Sequence, residues 1–168
     1  MLPSARETVL APWKDYDAAL ASFEKIKPFE TTRQQLHQLG YDPRQTPNMI
    51  ILTYLDVIRR FMPNPSIRSE NLHPGIRSCI EDKEHCQAYE INIRRIKHQR
   101  YGNVLADIFN FQRKSTERGW QFTAIIVLHD DLVIYKLAGG KPLIDENRQK
   151  KNPLGPLQSS EKVLEKAF

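Results

Sequence analysis

Cys79 and Cys86 are the only thiols in this sequence, seven positions apart in a polar stretch, and three chemistries are open to them. They can close a structural disulfide. They can stay reduced and partly buried. With His85 between them they can offer three ligands to a metal, although the spacing matches no usual zinc pattern. A redox Cys-x-x-Cys unit is excluded, because six residues intervene. The disulfide is the expected state. Closing a loop of about eight residues is worth roughly 2.5 kcal/mol through the entropy removed from the unfolded chain. Such a bond also places maturation in an oxidising compartment.

The second group able to do chemistry is basic. Arg94, Arg95, Lys97 and Arg100 fall in one short run, and Arg113 follows within reach of a hairpin. Such a cluster can hold phosphates of nucleic acid or of lipid headgroups. The plainer reading is a solvated strand end whose charges discourage edge pairing. Gly139-Gly140-Lys141 lacks the upstream glycine and the following Ser/Thr of a phosphate loop, so it reads as an exit turn from a strand. Asp130-Asp131 and Asp145-Glu146 lie in turn-like segments, where acidic residues serve conformation. The five histidines show no ligand spacing, and no serine sits in a glycine-flanked nucleophile pattern. The chain therefore reads as non-enzymatic, with no cofactor and no metal. Pro153, Leu154, Pro156 and Leu157 form a stiff apolar tail segment able to dock on a partner at small ordering cost.

These residues belong to a chain of 168 residues, enough for one domain with a real core. The formal net charge is +5, which suits either a polyanion or an anionic membrane surface. No apolar run approaches the ~20 residues of a membrane helix. The first residues lack the basic segment and apolar core of a signal peptide.

The elements follow from periodicity. Residues 1–12 read as a flexible tether. Trp13, Tyr16, Leu20, Phe23 and Ile26 recur at helical spacing and predict a helix over 13–27, interrupted by Pro28. Thr31 and Thr32, with Gln34 or Gln35 as reciprocal partner, open a short helix, and Gly40 ends it. Thr46-Pro47 reads as the start of a third helix carrying Ile50, Ile51, Tyr54, Leu55, Ile58 and Phe61. The run Met49-Ile50-Ile51-Leu52 is equally compatible with a short strand. His73-Pro74-Gly75 opens a helical turn through Cys79 and Ile80. A bridge to Cys86 requires that helix to end near Lys83, since one continuous helix separates residues seven apart by roughly 10.5 Å.

From Cys86 onward the period is two. Strands are expected from Tyr89, over 105–114, over 120–129 and over 132–137, with turns at 100–103 and Asp130-Asp131 and a polar connection at 115–119. The sum is an α+β domain over 13–140, with N-terminal helices packed on one face of a four-stranded antiparallel meander sheet. Residues 141–168 read as an extended, proline-containing tail with a loose helix over 159–168.

Phe23-Glu24-Lys25-Ile26, then Thr31-Thr32 opening a short helix that closes at Leu39-Gly40 and Pro43, resembles the start of the SmpA/OmlA family of small outer-membrane lipoproteins. That resemblance implies two N-terminal helices on a three-stranded antiparallel sheet and a lipid anchor on the periplasmic side of the outer membrane. It also implies a part in barrel-protein assembly. Arg100-Tyr101-Gly102-Asn103, Gly119-Trp120-Gln121-Phe122, Val133-Ile134-Tyr135-Lys136 and the tail 152–158, taken with the cysteine pair, look like proteobacterial envelope lipoproteins more broadly. The acylated cysteine of such proteins is absent here, and the segment 47–62 and the cysteine insertion lengthen the usual pattern. No family binding residue is carried over.

The expected role is that of a non-enzymatic periplasmic scaffold or accessory in a cell-envelope complex, anchored to the outer membrane through a lipidated N-terminus that would precede this sequence. Its partners would be envelope proteins and an anionic lipid surface. The alternative is a basic cytosolic nucleic-acid-binding domain, and nucleic acid is the less expected partner.

Overall fold

Asp15 begins the first helix. Its Oδ1 accepts the Ala18 backbone N–H at 2.8 Å, and α1 runs Tyr16–Glu24. The helix is shorter at both ends than its apolar spacing suggests, because Trp13 lies before the cap and packs without being helical. In this computed structural model the described residues are 11–101 and 112–151.

Helix α2, Arg33–Gln38, opens on a reciprocal capping box between Thr32 and Gln35, as the sequence indicates. Gly40 follows with φ +102°, a left-handed conformation that glycine adopts without strain. The next segment departs from the helical expectation. Met49–Thr53 is a strand, β1, and helix α3 spans Tyr54–Phe61. Thr46 is not a helix cap, because its hydroxyl donates to the Gly40 carbonyl. The cap is Thr53, whose N–H and hydroxyl both donate to Asp56 Oδ2. Two adjacent β-branched isoleucines in β1 favour the pleated form. Helix α4, Pro74–Glu81, starts where proline at the first position directs it.

Three long strands complete the sheet: β2 Cys86–Tyr101, β3 Gln112–His129 and β4 Leu132–Lys151. The sheet is antiparallel, in the order β1-β2-β3-β4. Strand β1 pairs with β2 from Met49 opposite Ile91 to Thr53 opposite Gln87. The expected polar connection at 115–119 is strand interior, so two anticipated strands are one where described. Residues 102–111, including most of the expected second strand and half of the 100–103 turn, lie outside the described residues. Asp130 and Asp131 form the two-residue β3–β4 turn, with Asp130 at φ +51°. Gly139-Gly140 is not an exit turn. It lies inside β4, where Gly140 has φ +127° and a Cβ would stand 2.1 Å from the Gln121 carbonyl oxygen. The anticipated tail is therefore strand as far as Lys151.

Around the start of β2 and the β3–β4 hairpin both sheet faces are covered. Tyr89 stacks on His37 of α2, whereas its neighbour Ala88 packs with Val57 of α3 and Ile76 and Cys79 of α4. Successive strand residues project to opposite faces, so the first two helices lie on one side and the next two on the other. The expected cover of one face holds for α1 and α2. The second cover follows from β1, which hands the chain across the sheet edge into α3. On the α1 side Trp13, Tyr16 and Phe23 surround Phe122, with ring centroids 5.8–6.2 Å away. Tyr41 lies fully buried against Trp13, its hydroxyl donating to the Ala19 carbonyl at 3.3 Å. Burial pushes its phenol well above the ordinary range.

The chain divides into two compact units. The first holds all four helices and the described residues up to Arg94, with Gln121–Pro142. The second contains Arg95–Trp120 and the chain from Leu143, where described. In the second unit Gly119 permits close strand contact, since a Cβ there would meet the Arg95 carbonyl oxygen at 1.8 Å. His98 pairs with the buried Glu117 at 3.3 Å, and Ile144 is buried.

Candidate functional site

The cysteines form a disulfide, with Cα atoms 4.7 Å apart. Helix α4 stops at Glu81, and a 3-10 turn at Lys83–His85 brings Cys86 back as the first residue of β2. Lys83 takes φ +24° in that reversal. Both cysteines are buried within the α3–α4 cluster, so the bond joins helix to sheet. The reduced-thiol and metal readings therefore do not hold in this state. Among the described residues no group of three or more His, Cys, Asp or Glu side chains is placed to hold a metal.

His85 is committed elsewhere, to a polar network around the β3–β4 turn that the sequence does not reveal. Its Nδ1 lies 2.6 Å from Asp130 Oδ1, and its ring stacks at 6.0 Å on that of His129. His129 Nε2 is 2.5 Å from Asp82 Oδ2, at the end of α4. From α2, Arg33 donates to Asp131 Oδ1 at 3.0 Å, to Gln87 Oε1 at 2.6 Å, to the Tyr89 hydroxyl at 2.8 Å and to the Asp130 carbonyl at 2.5 Å. The hydrogen bond to Asp130 raises the His85 pKa, with the Asp130 and Asp82 charges adding to it. The same bond lowers that of Asp130. The network ties the β3–β4 turn to the end of α4, to α2 and to the segment before β2.

Of the basic residues, Arg94, Arg95, Lys97 and Arg100 lie along β2 and Arg113 lies on β3. Arg94 is exposed at the end of the first unit. In the second unit Arg95 is half-buried and Lys97 exposed. The side chains of Arg100 and Arg113 lie outside the described residues, as do Pro153, Leu154, Pro156 and Leu157.

A sheet edge is among the contact surfaces the sequence suggests, without saying which; the edge strand that exposes apolar residues is β1. Ile50, Ile51 and Leu55 are each about half exposed, at 51%, 52% and 50%. They are three of the six exposed large hydrophobic residues among those described, and they fall within six positions of chain. Ile51 stands opposite Tyr89 on the α2 face, and Ile50 opposite Glu90 on the α3 face. Among the described residues β1 pairs with β2 alone, which leaves its outer row of backbone groups unpaired in the sheet. It carries no charge and no proline. The opposite edge differs. Strand β4 carries Lys136, Lys141, Pro142 and the Gly140 bend, the devices that blunt an edge against pairing. Beside Ile50, Arg60 and Glu90 close an ion pair at 2.7 Å over a recess of about 370 Å³ that also takes in Thr123 and Leu137.

Fold and site define a disulfide-stapled α+β protein, with helices on both faces of the sheet in its first unit and an apolar edge strand at β1. Among known proteins no family model, curated sequence or solved structure matches this chain.

Proposed function

We propose that this chain is a non-enzymatic scaffold or accessory domain of a cell-envelope complex, working in the periplasm and docking an extended protein segment along β1. The observation that carries the reading is the β1 edge: an uncharged strand that exposes one isoleucine on each face, with one row of backbone groups unpaired in the sheet. An exposed edge of this kind is a template for strand addition, in which main-chain hydrogen bonds give affinity and alternate side chains give specificity. The occupant that fits is a segment with apolar residues on both faces and no charge against Ile50 and Ile51.

Two things support the compartment. The disulfide is buried and structural, the kind that persists where thiols are not continually reduced. The helical start resembles the SmpA/OmlA lipoproteins, and from that likeness come the outer-membrane side, a lipidated N-terminus upstream and an anionic lipid surface nearby.

The test places a photo-activated cross-linker at Ile51 in the full chain and irradiates intact cells. Cross-linked products confined to the membrane-envelope fraction are expected. Products confined to soluble cytosolic proteins or nucleic acid would overturn the reading. So would two titratable thiols in freshly isolated, unreduced protein.

A further inference from the structure

We infer that the segment docked on β1 is β1 of a second copy, so that two chains join edge to edge about a two-fold axis. This rests on the reading of β1 as a docking edge and names its occupant. An ordinary amphipathic strand would set a polar face against either Ile50 or Ile51, since these point to opposite sides of the sheet. The occupant must be apolar on both sides and uncharged. Met49-Ile50-Ile51-Leu52-Thr53 has that character itself.

Antiparallel pairing centred on Ile51 sets Ile51 against Ile51, Ile50 against Leu52 and Met49 against Thr53. The Thr53 N–H is kept by Asp56, so that only the Thr53 carbonyl is offered at each end. No charge meets a like charge. Leu55 enters α3 two residues beyond the strand, so it stands at the same edge to extend the apolar contact. The arrangement is isologous and closed, because each copy gives the same patch and both open edges are consumed. Strand β4, the other edge among the described residues, carries Lys136, Lys141 and Pro142 against such pairing.

Sedimentation of the full chain with its disulfide intact, from low micromolar to sub-millimolar concentration, reads the outcome. A reversible shift from the 19.6 kDa chain to twice that mass is expected. Ile51→Lys should weaken association at least ~100-fold, because it sets two cations opposite one another and removes the central contact. Phe29→Lys, at an exposed apolar residue whose backbone N–H donates to Val133 of β4, the opposite edge strand of the same unit, should leave association unchanged. Amide exchange separates lost association from lost folding. Protection of Met49–Thr53 should rise with concentration in the wild type, and protection of β3 should be the same in wild type and Ile51→Lys.

A single-chain mass at every concentration would overturn the inference, as would an Ile51→Lys protein that still pairs. If the wild type is single-chain while the cross-linker at Ile51 captures a different envelope protein, this inference falls and strand docking stands. If the cross-linker captures nothing and exchange in β1 is concentration-independent, both fall.

Discussion

At the scale of single residues the most consequential contact is His85 with Asp130, because it ties the β3–β4 turn to the segment that carries the disulfide. Asp130 accepts from an imidazole whose pKa it raises, and its own carboxyl is held below the usual range in return. The two partners set opposite limits. The imidazole's contribution is fully present below the unfolded histidine pKa and is lost as pH rises through the higher folded value. The carboxylate's contribution is present above the unfolded aspartate pKa and is lost as pH falls through the lower folded value. The contact is therefore strongest in mildly acidic solution. Asp130→Asn should bring the His85 pKa back down toward the ordinary imidazole value, read from the pH dependence of its ring-proton NMR signal. The same substitution should flatten the fall in stability across neutral pH. None of this was legible from spacing. His85, Asp130, Asp82 and Arg33 are brought together by a helix end, a hairpin and α2, and no local period records that meeting.

At the scale of elements, legibility follows how local the determinants are. Helix α2 is readable because its whole specification lies within nine residues: Thr32 and Gln35 at one end, Leu36 facing in, Gly40 at the other. Thr32→Ala should accordingly cost about 1 kcal/mol in urea unfolding, since it strips one half of a reciprocal cap. The run through β1 and α3 is the opposite case. Met49 to Leu52 is apolar without a break, so periods of two and 3.6 fit it equally, and only its pairing with Ile91 to Gln87 selects the strand. Residues 115–119 mislead for a related reason. Ser, Thr, Glu and Arg followed by glycine look like a loop, yet Gly119 is there because the Arg95 carbonyl leaves no room for a side chain. The fold class was readable, as an α+β meander. The second helical layer was not, because it depends on that one ambiguous strand.

At the scale of the whole molecule, the Cys79–Cys86 bond joins the helical half of the first unit to its sheet, inside the cluster of Leu52, Val57, Ile76 and Val127. Replacing both cysteines by alanine should lower stability by about 2–3 kcal/mol, mostly through a freer unfolded chain. Reductant should shift the urea midpoint of the wild type by a comparable amount and leave that of the double variant unmoved. The open edge at β1 has no such staple, and its apolar surface is what the proposed pairing covers. The two features divide the labour: one fixes the domain, the other presents it.

Tyr41 supplies a built-in alarm for alkaline conditions. Its ring is sealed behind Trp13 and withholds its proton far beyond the point at which a phenol in water would ionise. Near-ultraviolet titration of the six tyrosines should therefore lack this phenolate while the domain is intact. It should appear only in the abrupt step by which base forces the chain open.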